Sequence, residues 1–169
     1  MHDAAHRWAT AAIDAGGPWD GARVLDIGGR DVNGTARTHL LRYSDVRCHV
    51  VDIRDSDEVD YLADVRVWEP PRAHHLVLCT EVLEHVQGWP AVCWTLHRAA
   101  LPGGLVLITC AGPGRSPHNA SDGGPLPSGE WYQNIDPDAL VSVLDACGFV
   151  DLDVDTSHPG DLYAAARRP

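Results

Sequence analysis

The chain has 169 residues, enough for one core of ordinary domain size and too few for a second lobe, so a single domain over residues 1–169 is expected. With 44% hydrophobic and 22% charged residues, and no apolar run near the roughly 18 residues that a membrane-spanning helix needs, the composition is globular and suggests no membrane partner. A formal charge of −11 opposes long-range attraction to a phosphate backbone, which disfavours nucleic acid and favours small, neutral or cationic ligands.

In chain order, Met1 to Thr10 carries His, Asp and Arg and lacks the apolar stretch of a secretory signal, so a cytoplasmic protein is expected. Ala5, Trp8, Ala9, Ala12 and Ile13 recur at helical spacing until Gly16-Gly17-Pro18 ends the pattern, which predicts a cap helix within residues 1–17. Val24 to Ile27 reads as a strand running into a glycine pair, followed by a helix over Thr35 to Tyr43. Cys48 to Ile53 and Val59 to Leu62 read as the second and third strands. The prolines of Arg66 to Pro71 leave no room for a full crossover helix.

Leu76 to Thr80 and Leu105 to Cys110 are unbroken apolar runs of the kind found in strands buried on both faces, with a helix over Pro90 to Ala100 between them. Asp136-Pro137 looks like an N-cap followed by proline at the first helical position, opening a helix that Gly148 closes after Cys147. Phe149 to Val154 and Leu162 to Ala166 flank the turn Ser157-His158-Pro159-Gly160 and predict a terminal hairpin. The alternation predicts an α/β fold. The segment 111–134, rich in Gly, Pro and Ser after the fifth strand, is the expected acceptor-side loop. Five scattered cysteines suggest buried thiols and neither a disulfide framework nor a zinc site.

Chemistry concentrates at strand ends. Asp26 closes the first strand before Gly28 and Gly29, whose missing Cβ atoms let a ligand approach the backbone, and Asp52 ends the second strand where a ribose-binding carboxylate is expected. Asp52 can equally cap a turn into Arg54-Asp55-Ser56. Asp31 and Asn33 either contact a cofactor or form an Asx-turn. Trp131 and Tyr132 either wall a pocket or anchor packing, whereas Trp68, Trp89 and Trp94 look structural.

These motifs, taken together and in order over nearly the whole chain, resemble class I S-adenosylmethionine-dependent methyltransferases. Asp26-Ile27-Gly28-Gly29 resembles the family's cofactor loop, Asp52 its ribose acid, Ala63-Asp64-Val65 its adenine-contacting turn, Leu101-Pro102-Gly103-Gly104 the turn before strand five, and Cys79 to His85 its segment after strand four. The resemblance implies a three-layer open sheet, mostly parallel, of seven strands in the order 3-2-1-4-5-7-6 with strand 7 antiparallel. It implies S-adenosylmethionine as cofactor, held by Asp26, Gly28, Gly29, Asp52, Ile53, Asp64, Val65, Thr80 and Glu81, with Asp31 and Asn33 as further contacts. The family's usual third loop glycine is replaced here by Arg30-Asp31.

Glu81-x-x-Glu84-His85 resembles a segment that binds Mg²⁺ in some O-methyltransferases and recurs in metal-free relatives. On one helical face, Glu81, Glu84 and His85 would converge on a cation. For a hydroxyl acceptor, His85, His118 and Glu81 are the candidate bases. The expected partner is a small-molecule acceptor, with the chain a monomer or homodimer. Two rivals remain at this level. A nicotinamide-dependent oxidoreductase shares the alternation but fits neither the glycine spacing at Arg30 and Asn33 nor the terminal hairpin, and a non-catalytic cofactor-binding scaffold would account for the altered loop.

Overall fold

The computed structural model describes residues 2–169, so Met1, where the expected cap-helix segment 1–17 begins, lies outside the described residues. Helix α1 (Asp3–Gly16) is followed by strands β1 (Arg23–Ile27), β2 (Arg47–Asp52), β3 (Tyr61–Leu62) and β4 (His74–Thr80). Helix α2 (Pro90–Ala99), strand β5 (Ala100–Ala111), helix α3 (Pro137–Cys147) and strands β6 (Val150–Asp155) and β7 (Asp161–Arg167) complete the chain. The strands form one sheet in the order β3-β2-β1-β4-β5-β7-β6, parallel except where β7 runs antiparallel to β5 and to β6.

Strand periodicity sorts the apolar side chains into two cores. Leu25, Ile27, Val77, Cys79, Val106 and Ile108 face α2 and α3, while Val24, Leu76, Leu78, Leu105 and Leu107 face α1 and the segment that follows β1. Both faces are therefore covered, which is why β1, β4 and β5 read as unbroken apolar runs. The outer strand β6 carries Asp151, Asp153 and Asp155, charges that discourage pairing with another edge. No helix among the described residues is long and apolar enough to cross a membrane.

Several expected elements change form. The helix expected over Thr35 to Tyr43 is a 3₁₀-helix, Ala36–Arg42, capped by Thr35, whose hydroxyl accepts from the Arg37 amide. A 3₁₀ rise of about 2.0 Å per residue, against 1.5 Å in an α-helix, carries the chain back toward β2 in fewer residues. Leu101 to Gly104, expected as a turn, belongs to β5 because the end of the chain pairs with it: the Gly103 amide donates to Arg168 O at 2.7 Å and the Arg168 amide to Gly104 O at 3.1 Å. Trp89 and Trp68 pack into or against the core as expected, but Trp94 is 46% exposed, since α2 turns Val92, Cys93, Leu96 and Ala99 inward and leaves position 94 outside.

Helix α3 begins and ends where its sequence signals stand. The Asp136 carboxylate accepts from the Ala139 amide at 3.0 Å, and Gly148 takes φ 88°, the left-handed C-terminal position that costs other residues energy. Asp136→Ala is expected to cost about 1 kcal/mol of stability, read as a lower urea midpoint with an unchanged slope.

Candidate active site

Parallel strands end together, so their C-terminal tips and the loops beyond them wall a common cleft. Here the cleft encloses about 1500 Å³ and is lined from β1, β2 and β4 by Asp26, Gly28, Gly29, Asp52, Ile53 and Thr80, with Asp64 and Val65 from the turn after β3. The loop after β5 supplies the opposite wall, including Arg115, His118, Glu130 and Trp131.

Asp26 is 1% exposed at the tip of β1. Its Oδ2 accepts from the Thr35 hydroxyl at 3.1 Å and faces Arg37 Nη1 at 3.5 Å, while its Oδ1 has no hydrogen-bond partner. Burial outweighs these favourable contacts and raises its pKa to about 6. The glycines serve packing as well as ligand access. A Cβ on Gly29 would collide with the Asp26 carboxyl, and Gly28 combines φ 66° with a space already filled by Val82.

The loop departs from the three-glycine pattern because side chains hold it. Arg37 Nη1 donates to Gly29 O at 2.6 Å, Arg37 also pairs with Glu58, and Glu58 Oε1 accepts from the Asp31 amide at 2.6 Å. Arg37 and Glu58 carried no sequence signal, being separated by a strand and a loop from what they support. Asp31 accepts from the Gly34 amide at 2.7 Å, an Asx-type turn, and does not line the cleft. Asn33 does line it, and its side chain donates to Asp122 O at 3.2 Å. A second link across the cleft joins Arg54 Nη1 to Ser121 Oγ at 2.5 Å.

For Asp52 both readings hold together: Oδ1 caps the turn by accepting from the Arg54 amide at 2.8 Å, and the residue still borders the cleft. Ile53 beside it is 66% exposed, an apolar face open to the cleft. Asp64 pairs with Arg66 at 2.6 Å, and the hydrogen bonds from Arg66 hold its carboxyl below the usual range.

Glu81, Glu84 and His85 do not share a helical face. Glu81 sits at φ 57°, held by its amide bond to Thr109 O at 2.7 Å, and only Leu83–His85 forms a short 3₁₀-helix. The Glu81 carboxylate accepts from the Thr109 hydroxyl at 3.0 Å and faces Arg115 at 3.4 Å, and Arg115 also pairs with Asp161 and meets His2 Nε2 at 2.9 Å. Both oxygens of that carboxylate are thus already engaged. His2, Arg115 and Asp161 were invisible to motif reading because contacts between the two ends of the chain have no local pattern.

What converges is Glu84, His85 and His118, whose ligand atoms lie within 4.8 Å of one another. Glu84 is fully buried; one oxygen accepts from the Ala111 amide at 3.2 Å and the other has no partner. Burial, aided by the nearby Glu81 charge, pushes its carboxyl well above the usual range. Burial and the neighbouring His118 push His85 down to about 4, so its imidazole is uncharged at neutral pH. Tyr132 closes the group, with ring centroids 5.5 Å from His85 and 4.9 Å from His118, and Trp131 stands 40% exposed on the cleft wall. One carboxylate and two imidazoles suit a borderline transition cation better than Mg²⁺, which favours oxygen ligands.

The strand order and the cleft at the carboxyl ends of β1, β2 and β4 define an open α/β protein whose main cleft lies across those tips. A family model described as "Methyltransferase domain" matches residues 2–154, and the chain belongs to that family. Solved structures agree in fold. The chain is similar to 1,6-didemethyltoxoflavin-N1-methyltransferase of Burkholderia thailandensis, solved with 1,6-didemethyltoxoflavin and S-adenosylhomocysteine (TM-score 0.67, 21% identity, 98% of this chain and 78% of that one). It is also similar to an S-adenosylmethionine-dependent methyltransferase of Mesorhizobium loti (TM-score 0.70, 18%, 96% and 98%) and to the cyclase SpnF (TM-score 0.70, 15%, 97% and 81%). Comparison with curated protein sequences gives no match.

The raised Asp26 pKa has a signed consequence. An acid whose folded pKa, about 6, exceeds its unfolded value of 3.8 binds its proton more tightly when folded, so its contribution to stability declines as pH rises from about 4 to 6. Asparagine removes this titration. Between pH 5 and pH 7.5 the stability of Asp26→Asn relative to wild type is expected to shift in the variant's favour by about 1 kcal/mol, measured by urea unfolding at both pH values.

Proposed function

We propose that this chain transfers a methyl group from S-adenosylmethionine to a small-molecule acceptor. One observation carries the reading: acid groups on neighbouring strand tips, Asp26 and Asp52, border the same cleft as the exposed Ile53 and the Asp64-Val65 turn, and the cleft continues past them to His85 and His118. A nucleoside fits the first half. Asp52 can accept from two ribose hydroxyls, the Ile53 side chain offers an apolar face to a flat base, and Asp64 with the Val65 backbone offers hydrogen bonds to its edge. Gly28 and Gly29 let the amino-acid end lie against the loop.

When bound, S-adenosylmethionine supplies an electrophilic methyl group on its sulfonium sulfur for in-line displacement by the acceptor. The chain's own contribution is to bring the two together and shield them from water, which places the second half of the cleft at the reacting end. For a hydroxyl acceptor, the uncharged imidazole of His85 and the adjoining His118 are the groups placed to take its proton, and Glu81 is withheld by Arg115. An amine acceptor needs no base beyond its own lone pair.

The oxidoreductase rival is weakened by the antiparallel β7, which the doubly wound dinucleotide-binding order 3-2-1-4-5-6 lacks. Similarity to a cyclase favours keeping the second rival in view, because one fold hosts several chemistries. Methyl transfer from radiolabelled S-adenosylmethionine into small-molecule extracts tests the activity, and absence of transfer with retained cofactor binding would favour the scaffold.

Asp52→Ala is expected to weaken S-adenosylhomocysteine binding on the order of 100-fold, the loss of two hydrogen bonds to a charged acceptor, with an unchanged circular dichroism spectrum. Calorimetry measures it, and unchanged affinity removes Asp52 from the site. Since displacement at a sulfonium methyl requires no Lewis acid, activity is expected to persist in excess chelator; its loss, with recovery on adding Mn²⁺ or Co²⁺, would make Glu84, His85 and His118 a working metal site.

A further inference from the structure

The loop that replaces the family's third glycine carries Arg30, whose charge meets no counter-charge among the described residues. Its neighbours on both sides are pinned. Gly29 O accepts from Arg37 at 2.6 Å, the Asp31 amide donates to Glu58 at 2.6 Å, and the Arg37–Glu58 pair ties the two anchors together. Peptide groups held before and after residue 30 fix the point and direction from which its side chain departs. That side chain is half-buried on the cleft wall.

Its surroundings make the missing counter-charge informative. Arg66 and Arg115, which line the same cleft, pair with Asp64 and with Glu81 and Asp161, and the exposed Arg54 donates to Ser121. For Arg30, no ion pair is formed among the described residues, and its buried Nε has no hydrogen-bond partner. This occurs in a chain with 24 acidic and 13 basic residues, where a carboxylate is seldom far away. A partly desolvated guanidinium with open donors is costly unless an anion arrives to accept from it, and its planar fork matches a carboxylate.

We propose that Arg30 binds the α-carboxylate of the cofactor's amino-acid end. This rests on the cofactor reading above. With the ribose at Asp52 and the base toward Asp64, the amino-acid end falls over β1 and its loop, where Asp26 and Arg30 present opposite charges to a zwitterion. Side chains in this loop thereby supply a carboxylate contact that a third glycine could offer only from its backbone.

The test is calorimetry on the full chain with S-adenosylmethionine and with decarboxylated S-adenosylmethionine, probes that differ only in that carboxylate. Wild type is expected to prefer the intact cofactor by roughly 10- to 100-fold, the range of one charge-assisted hydrogen-bonded contact. Arg30→Ala is expected to bind the decarboxylated probe as wild type does and to lose the preference, with Arg30→Lys recovering part of it. Asp52→Ala, as a control, should weaken both probes together. A preference that survives in Arg30→Ala overturns the assignment. Equal weakening of both probes also overturns it, as does a variant that keeps both affinities and instead raises the KM of the acceptor. Wild type that binds both probes equally sinks this inference alone, whereas wild type that binds neither sinks the cofactor reading itself.

Discussion

A single buried carboxyl organises the cleft. Asp26 lies at the tip of the strand with the most central position among the parallel ones, 1% exposed, and the loop beyond it folds back over its side chain. Thr35 and Arg37 approach its Oδ2, and Gly29 packs so closely against it that no larger residue fits. The position of the loop, the start of the 3₁₀-helix and the line of the cleft wall all follow from that contact. Keeping a carboxyl there has a cost, visible in its raised pKa, and Arg37 offsets part of it while also fixing Gly29 and, through Glu58, Asp31. One guanidinium thus joins the buried acid to the solvent-side course of the loop.

How far the sequence disclosed this depends on the range of each interaction. Strands β1, β4 and β5 were legible because burial on both faces leaves an unbroken apolar run, and α3 because its cap, its proline and its closing glycine lie within the helix or next to it. Asp26, Gly28, Gly29 and Asp52 were legible as strand-end residues before turns. Arg37, Glu58, Arg115 and Asp161 were not, since they act on residues distant in the chain and nothing local distinguishes them from other surface charges. The error at Glu81 has a different origin. Helical spacing was assumed for residues 81–85, but the strand-exit bond to Thr109 forces Glu81 into a left-handed conformation, and the spacing argument loses its basis.

That error changes the chemistry assigned to the far half of the cleft. With Glu81 committed to Arg115, the far half is bordered by the uncharged His85, by His118 and by Trp131, with Glu84 buried behind them and Tyr132 packed against both imidazoles. Charged groups line the cleft along its length: Asp26, Asp52 and Asp64 toward one end, and Glu81, Arg115 and Glu130 nearer His85.

Among the described residues, two side-chain hydrogen bonds tie the loop after β5 to the loops after β1 and β2, Asn33 to Asp122 and Arg54 to Ser121. Exposed hydrogen bonds of this kind contribute only about 1 kcal/mol each. Breaking these two links would therefore cost little, while the same loop keeps its other anchors, Arg115 on Glu81 and Asp161 and the Gln133 amide on Glu84 O. A ligand entering the cleft on that side would pass a span closed by polar side chains of separate loops and by no apolar seam between Asn33, Arg54 and their partners.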